Sequence, residues 1–530
     1  MVADCKESNA LLLRKIKAKI GDPVSVDVVV AILESIGIKS ENVPEDFGFP
    51  DSRALASDLF QKLTTTQETS IKKTKKVYEV TSIEKTKKVF SDAYLFIKQY
   101  VYGTSYLLAF ALQLTSIILY GFSIYVYTGF NQLQSTIVVL GIIIGMVISG
   151  GFIQVIGNQI SKHFYLKDFL LVEKMTYSLL KKGGISIFCF LLGLVLLNLI
   201  IPLYPFKTML LIACYAFWVG LLFLVFAPLH VINRKKVIFL ATFNASIVCL
   251  PFINNTSVNI YLLHFIGLFV AVSTVLIFLI VYFRKKRATG VSSNVSFQKG
   301  AVIYNNLYAF FYGVFLNFFF FIDRIIAWSS NETSNFFLPI YYEKNYEIGM
   351  DLSIIFLLLL AGILEYSNTS LFNFLNFEKY NTCILDMTVY RKKTLSLYLK
   401  SLILMLLSSI PIYSIVLYIF YGKWGYNYFF SEPLTSTSIK IANIGILGYF
   451  FLCWGILNSS YLISLKKQKE VLKIILFACL VNIVSGFIIS RLFSYSDSSY
   501  GMLLGSVVFT YFTLKENIHV YKNIDYYATI

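Results

Sequence analysis

The chain has 530 residues, 57% of them hydrophobic and only 14% charged, which leaves too little polar surface to cover a soluble globule of that size. Its 46 Lys and Arg against 29 Asp and Glu give a net charge of +17. The basic residues fall in short runs between apolar stretches, however, which argues against a nucleic-acid partner and reads as membrane topology.

Cys5, Cys189, Cys214, Cys249, Cys383, Cys453 and Cys479 show no CxxC or CxxH spacing, and His163, His230, His264 and His519 are scattered. Neither a metal centre nor a disulfide framework is expected, and no cofactor. The first apolar run long enough to insert begins near Val101, so no cleavable signal peptide is expected.

Residues 1–66 have ordinary soluble composition and read as a small helical cytosolic domain. Amphipathic stretches at ALLLRKIKAKI, VDVVVAILESIGI and SRALASDLFQKL fit three short helices, with Pro23 and Pro50 before the second and third and Gly37 after the second. Residues 67–100 form a basic juxtamembrane linker, with the repeat KTKKVY at Lys73–Tyr78 and KTKKVF at Lys85–Phe90. That linker reads as a solvated tether, or as a contact for anionic membrane lipid.

From Val101 onward, apolar windows recur that are long enough to cross about 30 Å of hydrocarbon as helices. Twelve spans are predicted near 101–129, 135–157, 184–204, 208–230, 237–253, 259–283, 303–328, 349–366, 394–421, 437–461, 471–490 and 499–515, the fifth and the last having the weakest pattern. The fold class is all-α, a polytopic integral membrane protein. A basic connection at 284–300 separates one six-helix bundle, 101–283, from a second, 301–515, and 516–530 form a tail.

Lysine and arginine test this map independently, because they accumulate in cytoplasmic loops. They cluster in the N-terminal arm, at Lys162/Lys167/Lys174/Lys181/Lys182, Arg234/Lys235/Lys236, Arg284/Lys285/Lys286/Arg287, Arg391/Lys392/Lys393 and Lys466/Lys467/Lys469. The intervening loops carry one at most. The alternation places both termini in the cytosol, in a multi-pass protein of the cytoplasmic membrane.

Several polar residues stand inside these spans. Asp323 and Arg324 lie near the outer end of the seventh, five and four residues before Trp328, which reads as an interfacial anchor. Ionisable groups at that depth are costly unless they face protein, water or a partner. Gly313, Asn317 and Arg324 form a stripe that either lines a cavity meeting sugar hydroxyls or belongs to a structural ion pair with a snorkelling arginine. Asp351, at the outer start of the eighth span, matches Arg324 in depth and is the preferred partner. Glu365 lies roughly 24 Å down that helix from Gly349. It is read as a satisfied interfacial charge or a cation-coupling carboxylate. Gln154 and Asn158, four apart on the second span, share a face and are read as helix glue before ligand contacts. The 48 Phe and 37 Tyr read as lipid-facing filler and interfacial belt before a sugar-stacking platform, and His264 alone indicates nothing.

No Walker-type loop, HExxH, GxSxG or paired-carboxylate cluster is present, so an enzyme is not expected; nor is a channel filter visible. A large ATP-independent transporter remains, with two bundles rocking about a central site. The segments FFFFIDRIIAW and LPIYYEKNYEIGMDLSIIFLLLLAGILEY, with SGGFIQVIGNQISKHFYLKDF, resemble the Pel exopolysaccharide transporter family (PelG), within the superfamily of multidrug, oligosaccharidyl-lipid and polysaccharide flippases.

The resemblance covers roughly residues 100–520 and implies twelve helices in two bundles around a polar cavity. It also implies export of a polysaccharide or lipid-linked glycan made by a cytosolic glycosyltransferase or synthase partner. Gly150-Gly151 stands where that pattern has Gly-Pro, and the N-terminal extension is longer than usual. A cation-coupled lipid-linked oligosaccharide or drug flippase and a non-transporting scaffold subunit of a synthase are the alternatives.

Overall fold

In a computed structural model of the chain, the described residues are Leu13, Ile16, Ile38 and the ranges 25–35, 43–47, 49–62, 82–253, 258–287, 299–330, 339–381, 387–430 and 432–522. Most of ALLLRKIKAKI, Pro23, Gly37, the first basic repeat, most of NNTSVN, most of the connection at 284–300 and the last eight residues lie outside them. The chain divides into two compact units, Met1–Ala93 and Tyr94–Ile530.

In the first unit, α1 (Val26–Ser35), α2 (Val43–Phe47) and α3 (52–62) enclose a small core. Val29, Ile32 and Leu33, spaced to fall on one helical face, meet Ile16, Val43, Leu55 and Leu59. The Asp51 carboxylate accepts from the Ala54 amide at 2.6 Å, so α3 is capped by the residue after Pro50.

The second unit is built from helices. α4 (Ser82–Gly103) enters it and α5 (Tyr106–Tyr120) follows; then come α6 (Gln132–Tyr165), α7 (Phe169–Ile200), α8 (Phe206–Val231), α9 (Lys236–Cys249) and α10 (Ile260–Arg287). The second half of the chain comprises α11 (Lys299–Ser329), α12 (Lys344–Asn381), α13 (Met387–Tyr421), the short α14 (Tyr426–Phe430), α15 (Ser436–Ser464), α16 (Gln468–Leu492) and α17 (Ser499–Lys522). Among the described residues, nine helices are long and apolar enough to cross a membrane, and a tenth crossing is made if the bent pair α4 and α5 counts as one. The fifth and twelfth expected spans correspond to the short apolar segment Lys236–Phe252 and to α17, neither of which is among those nine.

Two expectations are corrected. The first span is not one run over 101–129: it breaks after Gly103 with a 44° bend and ends at Tyr120. Gly121, at φ 66°, then turns the chain into a tight loop closed by the Phe122–Tyr127 bridge. Hydropathy missed this because FSIYVYTGF is as apolar as a helix. The helices also overrun their apolar windows at the lysine-rich end, α12 reaching 38 residues.

Local signals explain the helix ends. Asn131 and Gln134 form a capping box at the start of α6, Asp168 caps α7, and Thr435 caps α15. Three lysine-rich turns repeat one motif. Lys167, Asn233 and Lys466 take left-handed φ values of 57–60°, and in each case the next amide bonds back five residues, Asp168 to His163, Arg234 to Leu229 and Lys467 to Leu462. The α8/α9 and α15/α16 pairs thus share a turn, as expected if the two halves are repeats of one design.

Within the first half, α6 packs on α8 through Gly141 and Gly145. A Cβ at Gly145 would lie 2.7 Å from the Ala216 carbonyl oxygen, so the backbones touch where small residues permit it. In the second half, α15 lies against α12 and α17, and α16 against α11 and α17.

Candidate functional site: the junction of the two halves

The halves meet chiefly where α6 crosses α11. At the crossing, a Cβ on Gly313 would lie 2.4 Å from the Gly150 carbonyl oxygen, and one on Gly150 would lie 2.7 Å from that of Gly313. Asn317 Nδ2 donates to the Gly313 carbonyl at 2.9 Å and occupies the space a side chain at position 150 would fill. Gln154 lies against Gly313, and Phe152 meets Phe310 edge-on at 5.1 Å. Asn317 and Gln154, chosen separately from sequence, are therefore brought together. Asn158 is one turn further along α6, and its buried Nδ2 has no hydrogen-bond partner among the described residues.

At the lysine-poor end, the segment entering α12 is tied to the first half through its backbone. Gln132 Nε2 donates to the Tyr342 carbonyl at 2.6 Å, the Tyr342 amide to Thr136 Oγ1 at 3.0 Å, and the Tyr204 hydroxyl to the Ile340 carbonyl at 2.8 Å. Tyr204 is itself held by two hydrogen bonds with the Asn198 amide, and burial pushes its phenol up to about 12. Trp328 stacks obliquely on Tyr342 and is fully buried, so it is a packing residue rather than an interfacial anchor.

The charge cluster lies within the second half. Arg324 is only 4% exposed, which places it inside protein rather than on an open cavity wall. Its Nη1 binds Asp351 Oδ1 at 3.1 Å, the expected partner, and also pairs with Glu347, which sequence reasoning missed. Glu347 is buried, whereas the Asp351 side chain is 62% exposed. Asp323 accepts from the Tyr346 hydroxyl at 2.8 Å, and its carbonyl accepts from Ser498. Asp323 Oδ1 and Glu347 Oε1 are buried without a partner among the described residues. The signal for Glu347 was its spacing: once α12 begins at Lys344, Glu347 and Asp351 are one turn apart on one face.

At the lysine-rich end, Glu365 is paired across the junction. Lys235 Nζ lies 3.3 Å from Glu365 Oε2 and 3.9 Å from the centre of the Tyr102 ring. The Lys235 side chain is 7% exposed and that of Glu365 34%. Burial pulls the Lys235 ammonium below its usual range, and Glu365 opposes that shift. No His, Cys, Asp and Glu grouping able to hold a metal occurs among the described residues.

This arrangement of helices matches solved transporters along most of their length. A Vibrio cholerae MATE transporter, VcmN, superposes with a TM-score of 0.57 over 82% of this chain and 98% of its own, at 13% identity. A multidrug resistance MATE family transporter of the MOP superfamily, in an outward-facing conformation, gives 0.55 over 81% and 96%, at 11% identity. The fold is that of the MATE transporters. A eukaryotic MATE transporter gives 0.53 over 80% of this chain and 95% of its own, at 13% identity. No protein-family model matches the sequence, and no curated protein does. The MATE likeness bears out the polytopic all-helical fold; the Pel resemblance is carried by the sequence segments alone.

Proposed function

We propose that the chain is an exopolysaccharide exporter or flippase of the cytoplasmic membrane, working by alternating access between its two halves without covalent catalysis. The observation that supports this best is the form of the junction. Two halves that meet at a close backbone crossing, Gly150 on Gly313, and are also tied by polar contacts at each end can rock about the crossing as those contacts are made and broken. The lysine-rich end is assigned to the cytosol, where a glycosyltransferase or synthase subunit would deliver the glycan, with residues 1–66 as a docking module. Asn317, Gln154 and Asn158 are the residues assigned to the transport path. Asp323, Arg324, Asp351 and Glu365 shape it from the second half.

One observation favours the second reading, a cation-coupled flippase of lipid-linked oligosaccharide or drugs. Around Arg324 stand three carboxylates, Asp323, Glu347 and Asp351, two of them with a buried oxygen that has no hydrogen-bond partner among the described residues. Such an excess favours uptake of a proton.

The test is deletion of the gene followed by assay of cell-surface polysaccharide, with the chain also expressed in a drug-sensitive host lacking its efflux pumps. Loss of surface polysaccharide without any change in drug tolerance is expected. Unchanged polysaccharide with increased drug tolerance would replace the first reading by the second.

A further inference from the structure

The first span is shared between the halves, and the way it is shared assigns it a moving part. Its lysine-rich portion, residues 94–103 of α4, seats on α12 of the second half. Phe96 meets Tyr366 edge-on at 5.0 Å, Tyr100 lies over Gly362, and a Cβ at Gly103 would lie 2.7 Å from the Gly362 Cα. Beyond the break the span belongs to the first half. Gln113 Nε2 donates to Ser246 of α9 at 3.2 Å, its Oε1 accepts from the Ile124 amide, and Tyr106 bonds His230 of α8.

The break itself is built into the sequence. Thr104 Oγ1 donates to the Tyr100 carbonyl and Ser105 Oγ to that of Tyr102, the back-bonding that bends helices. What ties the 94–103 portion to the first half is polar and local. The Tyr102 hydroxyl donates to Asn233 Oδ1 at 2.8 Å and Lys235 lies over the Tyr102 ring, while Lys235 also reaches Glu365 of α12.

We propose that residues 94–103 travel with the second half as a clasp hinged at Thr104-Ser105, and that the cytosolic side opens when Tyr102–Asn233 and Lys235–Glu365 let go. The ground is the contrast between the two attachments. The seat on α12 is a backbone approach at Gly103 and Gly362 flanked by aromatic packing, an interface that survives only as a close fit. The ties to the first half are one hydrogen bond, one cation–π contact and one ion pair with a part-exposed partner, each of which water can replace. When the halves separate at this end, the second set is the one that yields. The inference rests on the alternating-access reading but not on the identity of the cargo.

The experiment uses the full chain with its seven native cysteines replaced, carrying as a reporter Gly157→Cys on α6, on the face of Gly150 and Gln154, where a Cβ meets nothing within 4 Å. The reporter is read with a membrane-impermeant maleimide in inverted vesicles, alongside export in cells. Two further cysteine pairs are joined by a short bifunctional thiol reagent. Linking Phe96→Cys to Tyr366→Cys should leave both readouts unchanged, because the two positions move together. Linking Tyr102→Cys to Asn233→Cys should drive reporter labelling and export to background, and cleaving the link should restore both. Glu365→Gln without any link should raise reporter labelling. The opposite pattern, with the first link blocking and the second harmless, would show that the clasp rides with the first half and overturn the proposal. Two harmless links or two blocking links would overturn it as well. The labelling readout needs no substrate, so a chain that exports no polysaccharide still tests the clasp.

Discussion

Gly150 and Gly313 face each other across the junction with no room for a methyl group on either, the Gly150 carbonyl oxygen lying 2.4 Å from where a Cβ of residue 313 would stand. Gly313→Ala should therefore force the halves apart. Overpacking of this kind costs about 1–3 kcal/mol, enough to lower the melting temperature of purified protein and to abolish export while leaving membrane insertion intact. Gly157→Ala is the control. A Cβ there meets nothing within 4 Å, so both stability and export should match the parent. Equal behaviour of the two variants would remove the crossing from the mechanism.

The partner of Arg324 that matters for stability is Glu347, since it is the buried one. Removing one member of a buried pair leaves the other charge uncompensated, at a cost of about 3–5 kcal/mol. Arg324→Ala and Glu347→Ala should each destabilise the protein by that amount, and Arg324→Glu combined with Glu347→Arg should recover part of it. Asp351→Asn, at a position largely open to solvent, should cost less than about 1 kcal/mol. A larger loss at Asp351 than at Glu347 in thermal unfolding would reverse this ranking.

Orientation follows from the alternation of basic turns. Ser498, between the eleventh and twelfth expected spans, is fully buried against Asp323 and is unsuitable as a labelling site. Lys423 and Lys285 are exposed at opposite ends. Lys423→Cys should label in intact cells and Lys285→Cys only after permeabilisation; labelling of the second in intact cells would invert the map.

The N-terminal unit has its own small core around Val29, Leu33, Leu55 and Leu59. Deleting residues 1–66 should leave the membrane unit folded, by size-exclusion profile and melting temperature, while reducing recovery of a cytosolic synthase in affinity purification. Undiminished recovery would make the unit a stabilising appendage.

The helical membrane class and the position of most crossings were legible because twenty-odd apolar residues and alternating lysines carry that information locally. The first span shows the limit. Its break is set by two hydroxyl side chains at Thr104 and Ser105, and its end by Gly121, none of which alters mean hydropathy. Asp351 was found as a partner of Arg324 from helical depth alone. Glu347 was not, because it was counted as loop before the start of α12 was known. Lys235 and Glu365 could not be paired from sequence, since each reads as an ordinary interfacial charge and only packing brings them together. Asn317 and Gln154 were noticed for polarity, whereas the reason they meet is the missing side chains at Gly150 and Gly313.

The division of the first span between the halves also bears on how the protein is made. Glu365 lies 130 residues after Lys235, and the Gly362 seat of Gly103 is synthesised later than every helix of the first half. As the chain emerges from the ribosome, the Lys235 ammonium and the apolar face of residues 94–103 must wait, unpaired, beside the bilayer until α12 arrives. The first half is therefore an incomplete product when synthesised alone, and assembly of the membrane unit ends with a late segment closing over an early one.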